Sequence, residues 1–390
     1  MKTTNFCIVL AMAFLFFSCG EKREVPEPET ANPPTTLVSP AQVRGFMVSD
    51  AKDFDRNALN AAAEWGANII RIPIHPDKFA QINQRGIWDA LPAYLDILAE
   101  RIQWAREKNM KVIIDLHGVP VENPGDISQP AFWNNPEVKP GFIRIWKEIA
   151  TKFKGSSYDD VIWGYDLYNE PVEKVPNTAH IPFKWREMVP EIISAIREMD
   201  SDVWIIYEPG PWGEVLGYKD LTPLEDKRVI YSIHYYKPQD SFTHQGVYFP
   251  SDVTTREQAQ QYIGKTYPGV HENTTWNKEK MEESMAPVVA FQKKHNVPIL
   301  VGEFSVVRWA PVESSKQWLT DVIDIFEKNN WSWCYHAFRE WHGWDLEYKE
   351  GTGEFWFRGD PYPERSQTET ERAKIIKAAL QKNKFLCLKL

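Results

Sequence analysis

Residues 161–171 read VIWGYDLYNEP, an almost unbroken apolar run that stops abruptly at Asn169, Glu170 and Pro171. A strand with one face in water alternates apolar with polar residues, whereas a strand covered on both faces does not. This run belongs to the second kind. The Asn–Glu pair that closes it therefore has to serve something other than packing. Similar runs occur at Val43 to Val48, Asn68 to Pro73, Lys111 to Leu116, Val203 to Tyr207, Val229 to His234, Ile299 to Phe304 and Trp331 to His336. Together with Val161 to Tyr168 they make eight candidate strands.

Segments of helical period lie between them. Leu91, Leu95, Leu98, Ile102 and Ala105 fall on one face of a helix, as do Phe142, Ile145, Ile149 and Phe153, and then Trp318, Val322, Ile325 and Phe326. A last helix is expected near 368–382. Doubly covered strands alternating with amphipathic helices form a parallel sheet under helical cover. Eight such β/α units predict a closed (β/α)8 TIM barrel, as a single catalytic domain over residues 41–390. The main irregularity runs from Tyr235 to about Trp276, rich in Pro, Gly, Asp and Thr. A loop of that length in a compact domain is usually functional, and loops after barrel strands surround the site, so it is expected to wall a substrate cleft.

The N-terminus reads as an address. Lys2 supplies a positive start, Phe6 to Phe17 is a short apolar stretch, and Ser18-Cys19 stands where cleavage belongs. The stretch is too short to span a bilayer as a mature helix. It resembles a bacterial lipoprotein signal, with Phe16 where such signals usually carry Leu. Residues 1–18 are then a signal peptide and Cys19 the lipidated residue. Residues 19–40, rich in Glu, Pro and Thr, are a flexible linker. The protein is expected to be exported and lipid-anchored to the bacterial envelope, touching the membrane through that anchor alone. Cys7 leaves with the signal, so Cys334 and Cys387 are expected to be free. No His/Cys spacing suggests a metal site, and no cofactor is expected.

Composition narrows the chemistry. The mean hydropathy of -0.46 excludes a multi-span membrane protein. A net charge of -9 with no basic stripe argues against nucleic acid as a partner. The chain carries 17 Trp, 15 Tyr and 20 Phe, flat surfaces on which the C–H faces of sugar rings stack, so polysaccharide or oligosaccharide is the expected partner. A monomer is expected.

Barrel enzymes place their sites at the C-terminal ends of the strands. Here those ends are polar: Arg71 on strand two, Asp115 and His117 on three, Asn169 and Glu170 on four, His234 and Tyr236 on six, and Glu303 on seven. Two of these, Glu170 on strand four and Glu303 on strand seven, are carboxylates on opposite sides of the mouth. Glycoside hydrolysis needs such a pair, one to protonate the leaving oxygen and the other to attack the sugar or activate water.

With Asn169-Glu170-Pro171 ending one strand and Gly302-Glu303-Phe304 ending another, the chain resembles glycoside hydrolase family 5 from Arg44 to its last helix. The resemblance implies a retaining barrel enzyme with Glu170 as acid/base and Glu303 as nucleophile. It further implies that Asn169 binds the sugar 2-hydroxyl, that Arg71 keeps the nucleophile ionised, that His117 and His234 are the two active-site histidines, and that Tyr236 donates to the nucleophile. Glu170 should titrate above Glu303. Strand eight departs from the family, which usually offers a tryptophan where His336 stands. Trp341 is expected to be the sugar platform instead, with His336 touching hydroxyls. After strand five, Glu208 is expected to be a cleft residue and Trp212 a sugar contact. The implied activity is endo-acting cleavage of β-1,4-glucan, mannan or a related hemicellulose. An exo-acting β-glycosidase and a non-catalytic carbohydrate-binding lipoprotein are the alternatives.

Overall fold

Eight strands close into a ring in the computed structural model, which describes residues 40–383. They are β1 (Arg44–Met47), β2 (Ile69–Ile74), β3 (Lys111–Leu116), β4 (Ile162–Asp166), β5 (Ile205–Tyr207), β6 (Val229–His234), β7 (Ile299–Glu303) and β8 (Ser332–Tyr335). Neighbours are parallel throughout, and β1 pairs with β8 through Arg44 and Trp333, Gly45 and Cys334, and Phe46 and Tyr335. The chain is a single-domain (β/α)8 barrel, and each of the eight expected runs supplies one strand. The expected signal peptide, Cys19, nearly all of the linker and Cys387 lie outside the described residues.

The barrel interior explains why the strands read as they do. Ile69, Ile113, Trp163, Ile206, Ile230, Leu300 and Cys334, one from each of seven strands, join Val43 just ahead of β1 in an apolar plug at its lower end. Cys334 is free and buried there as a small hydrophobe, and burial pushes its thiol up to about 12. Moving two residues towards the C-terminal ends keeps the side chain inward but changes its chemistry. Ile69 gives way to Arg71, Ile113 to Asp115, Ile206 to Glu208, and Ile230 to Ser232 and then His234. Gly302 fits this layer because a Cβ there would come within 2.9 Å of the His234 ring and 3.0 Å of Ser232 Oγ.

Among the described residues seven long helices pack outside, at 56–65, 87–107, 138–153, 183–197, 278–295, 312–328 and 371–380. Asp55 caps the first by accepting from Ala58 N, and Gly66, at φ +99°, ends it. The eighth helix expected between β5 and β6 is replaced by two single 3-10 turns, Pro211–Gly213 and Val215–Tyr218. The cause is local: Pro209, Gly210, Pro211 and Gly213 break any helical period. The strand of chain also folds back so tightly that a Cβ on Gly217 would lie 2.2 Å from Gly210 Cα. Tyr218 fills the space, its hydroxyl donating to Ser232 O at 3.0 Å.

Two long excursions rise above the C-terminal face of the barrel. The one after β6 holds a π-turn at Gln239–Thr243, a short helix at Arg256–Ala259 and an antiparallel hairpin pairing Gly269–His271 with Thr274–Trp276. The other, after β8, runs to the last helix. It is tied to the first where Arg256 Nη2 donates to Phe355 O at 2.7 Å and Phe249 packs edge-on against Phe357. Only the first was expected from the sequence. No helix among the described residues is long and apolar enough to cross a membrane.

Candidate active site

Arg71 is the hub. Fully buried, its Nη1 donates to Glu303 Oε1 at 2.8 Å and lies 3.1 Å from Asp115 Oδ2. Its Nε donates to Asp166 Oδ2 at 3.0 Å, and its Nη2 to Asn169 Oδ1 at 3.0 Å and Glu208 Oε1 at 3.2 Å. One guanidinium cannot neutralise four buried carboxyls, so some of them hold protons. Burial raises Asp115 well above the usual carboxylate range and Asp166 to about 7, against the pull of Arg71.

Glu303 is recessed, with 7% of its side chain exposed. Arg71 holds its Oε1, and the Tyr236 hydroxyl donates to its Oε2 at 2.8 Å. Burial works against its charge, but the electrostatic pull of His234, His336 and Arg71 holds the carboxyl well below its ordinary value. Glu170 is more open, with 32% of its side chain exposed on the wall of a cavity of about 420 Å3. Protein surrounds it on its remaining sides, and burial followed by the nearby charges of Glu303 and Glu208 raises its carboxyl despite a hydrogen bond from His234. The surroundings thus set Glu170 above Glu303, the order expected from the sequence.

His234 lies between them. Its Nδ1 is 2.8 Å from Glu170 Oε1, and its Nε2 is 3.1 Å from Glu208 Oε1. Burial alone would strip its proton, but Glu208, Glu303 and Glu170 hold it well above the ordinary histidine range, so it is an imidazolium. His117 is the opposite case. Burial, with His75 and the Arg71 guanidinium close by, keeps it neutral, 2.8 Å from Asp115 and 3.8 Å from Glu303.

Glu208, expected in the cleft, is buried beneath it instead. Besides Arg71 and His234, it engages Glu170 itself: Glu208 Oε2 accepts from Glu170 N at 2.9 Å. Glu170 has φ +51°, a strained conformation for a residue with a side chain, and this bond helps to hold it there. Asn169, which accepts from Arg71 through its oxygen, keeps its amide NH2 as a donor. His336 does reach the site, its Nδ1 3.1 Å from the Tyr236 hydroxyl. Trp212 lines the catalytic cavity, but Trp341 does not; it lies in a neighbouring hollow with Trp309 and Trp356. The sequence reading also missed Asp166, Tyr248 and Trp276. The last two line the cavity from the β6 excursion, so that excursion is a cavity wall.

Oxygens of Glu170 and Glu303 and a ring nitrogen of His234 all lie within 4.8 Å of one another. All three are already engaged, Glu303 by Arg71 and Tyr236, and His234 by Glu170, so the donor set is committed to hydrogen bonds rather than to a cation. Chemically, the site is a pair of close carboxyls of unequal acidity, one recessed and pinned, the other facing open space.

The sequence profile of the cellulase family, glycosyl hydrolase family 5, matches residues 34–341. Endoglucanase C of Acetivibrio thermocellus is 24% identical over 308 residues, which covers 73% of this chain and 84% of that protein. Endoglucanase 3 of Fibrobacter succinogenes is 23% identical, over 71% of this chain and 44% of that one. Among solved structures, endoglucanase Cel5A of the hyperthermophile Thermotoga maritima aligns with a TM-score of 0.60 at 25% identity, covering 75% of this chain and 84% of that one. Cellulose synthase subunit Z of Clostridioides difficile aligns with a TM-score of 0.62 at 22% identity, over 87% and 99%, a likeness of fold alone.

Proposed function

This chain belongs to the cellulase family, glycosyl hydrolase family 5, and from that premise we propose that it is a retaining, endo-acting β-glycanase that cuts β-1,4-glucan or a related β-linked polysaccharide. That it is a glycoside hydrolase follows from the family. The retaining step is supported chiefly by one observation, the short gap between the carboxyls. Retaining enzymes hold their carboxyls ~5–5.5 Å apart, whereas inverting enzymes need ~6.5–9.5 Å to admit a water. One oxygen of Glu170 lies within 4.8 Å of one of Glu303, a spacing that supports the first class over the second.

In this reading Glu303 attacks the anomeric carbon through Oε2 while Arg71 retains Oε1, and the glycosidic bond breaks. The proton of Glu170 passes to the departing oxygen. Glu170, now a carboxylate, takes a proton from water as that water displaces Glu303 from the sugar. The imidazolium of His234 eases the intermediate stage, because it stabilises Glu170 most when Glu170 is charged. Asn169 offers its amide to the sugar 2-hydroxyl. The endo-acting reading and the glucan substrate draw support from relatives named endoglucanase.

Two measurements test this. Proton NMR of fresh hydrolysate should show the β-anomer first, and the α-anomer first would overturn the retaining step. Chromatography of products from cellulose derivative, mixed-linkage glucan, galactomannan and xylan should show oligosaccharides from one of them, whereas monosaccharide alone would mean exo-action. We propose in addition that Cys19 anchors the enzyme to the bacterial envelope. Cys19→Ala should then move it from the membrane to the soluble fraction, and an unchanged distribution would remove the anchor.

A further inference from the structure

The excursions after β6 and β8 enclose a second cavity of about 280 Å3, lined by Tyr248, Phe249, Trp309, Trp341, Trp356 and Phe357 among others. Tyr248, 68% exposed, also lines the catalytic cavity, so the two hollows adjoin through a single ring. Short chains of rings lead back to the nucleophile. Tyr248 stacks on His244, which meets Tyr236 edge-on at 4.6 Å, and Trp341 packs on Trp344, which is 5.9 Å from His336.

The hollow opens to solvent, and six of its twelve lining residues are aromatic. Its walls are fixed. Trp309 Nε1 donates to Gln245 O at 2.6 Å, and its ring stands at 90° to Trp341, 5.9 Å away. Trp356 Nε1 donates to Pro361 O at 3.2 Å. Trp309 is fully buried and braces Trp341 from behind, so the π surface open to a ligand belongs to half-buried Trp341 and Trp356 and exposed Tyr248. Exposed Ser251 and Arg358 add hydrogen-bonding groups.

We propose that this cavity is a remote sugar subsite, which takes one pyranose ring of the polysaccharide chain that is being cut in the neighbouring cavity. The apolar faces of the ring match the aromatic walls, and its hydroxyls match Ser251 and Arg358. Continuity through Tyr248 identifies the occupant as part of the same chain. The inference rests on the hydrolase reading for that identity, and it concerns chain length, on which the catalytic residues are silent.

The test uses the full-length protein and two variants: Trp356→Ala, which removes a half-buried wall, and Ser251→Trp, which fills the hollow from an exposed position. The readout is kcat/KM on cellohexaose divided by kcat/KM on an aryl β-cellobioside. Loss of one stacked ring should lower that ratio about tenfold, through KM, in both variants. A ratio within about twofold of wild type in both, from an enzyme that cleaves both substrates, overturns the subsite and leaves the hydrolase reading standing. Calorimetry with cellohexaose on Glu303→Gln, with and without Trp356→Ala, separates the two claims. Binding lost with Trp356 in a protein whose wild type hydrolyses no glucan keeps the subsite and sinks the hydrolase reading. Binding indifferent to Trp356 sinks the subsite in either case.

Discussion

Around Arg71, four strands bring Asp115, Asp166, Asn169, Glu208 and Glu303 onto one guanidinium, each within 3.2 Å. Around Trp341, loops bring together only rings, with centroids 5.3 and 5.9 Å from Trp344 and Trp309. The two regions ask different things of the fold. A buried charge needs its partner at hydrogen-bond distance or it costs several kcal/mol, and the parallel ladder, with its two-residue repeat, supplies that accuracy. Ring packing is broad in distance and angle, so irregular loops can build it. Substitutions in the first region should therefore be severe and should change protonation, and those in the second should be mild and change substrate reach.

The largest effect is expected at Glu303. Glu303→Ala should fold normally and lose at least about a thousandfold in kcat, measured with an activated aryl glycoside. Retained activity would mean that the Arg71 cluster is structural and the chemistry lies elsewhere. Arg71→Met comes next. It leaves Asp115, Asp166 and Glu208 buried without their cation, so unfolding in urea should reveal a loss of about 3–5 kcal/mol. The sign of its pH effect is fixed. Arg71 favours the charged form of Glu303 and so lowers its pKa; without Arg71 that pKa rises, and the acid limb of kcat/KM should move to higher pH. An acid limb that stays in place would detach Arg71 from the nucleophile.

Glu208→Gln tests whether the cluster acts as a unit. The amide can still accept from Glu170 N but no longer carries the charge that does most to keep His234 protonated. His234 should release its proton at lower pH than in wild type, read from imidazole NMR shifts, and kcat should fall on the order of tenfold to a hundredfold. An unchanged His234 titration would break the cluster into independent pairs.

Much of the first region could be read in advance, because strand ends announce themselves as polar residues closing apolar runs. Arg71, His117, Asn169, Glu170, His234 and Glu303 all do so. Glu208 was misjudged although its signal was present, since it stands two residues beyond inward-facing Ile206 and shares its side of the strand. Asp166 carries no such signal. The pairing of β3 with β4 slips between Val112 and Ile113, so the inward alternation that starts at Trp163 does not predict Asp166. The β6–β7 pairing slips likewise just before Glu303, which the family motif revealed and alternation could not. The second region was nearly illegible. Trp341 lies five residues past His336, which suggested the catalytic mouth, but the β8 excursion carries it sideways to Trp309 and Trp356. Contacts between loops some 60 to 100 residues apart in the chain, such as Trp309 to Gln245 and Arg256 to Phe355, leave no periodic trace.

The smallest effect tests whether the loop wall can be strained without disturbing the charges beside it. Gly246 has φ +73°, and a Cβ there would come within 2.7 Å of Ile263 Cγ2 and 2.9 Å of the Phe355 ring. Gly246→Ala therefore meets both a backbone conformation unsuited to a side chain and contacts that must give way. Together these should cost about 1–3 kcal/mol, seen as a melting temperature a few degrees lower. None of that strain falls on the ladder that aligns Arg71, so kcat on the aryl cellobioside should stay within about twofold and His234 should titrate as before. A fall in kcat as large as that of Glu208→Gln would show the ring chain from Tyr248 through His244 to Tyr236 transmitting loop strain to Glu303. The two regions would then be one machine with a soft side and a hard side.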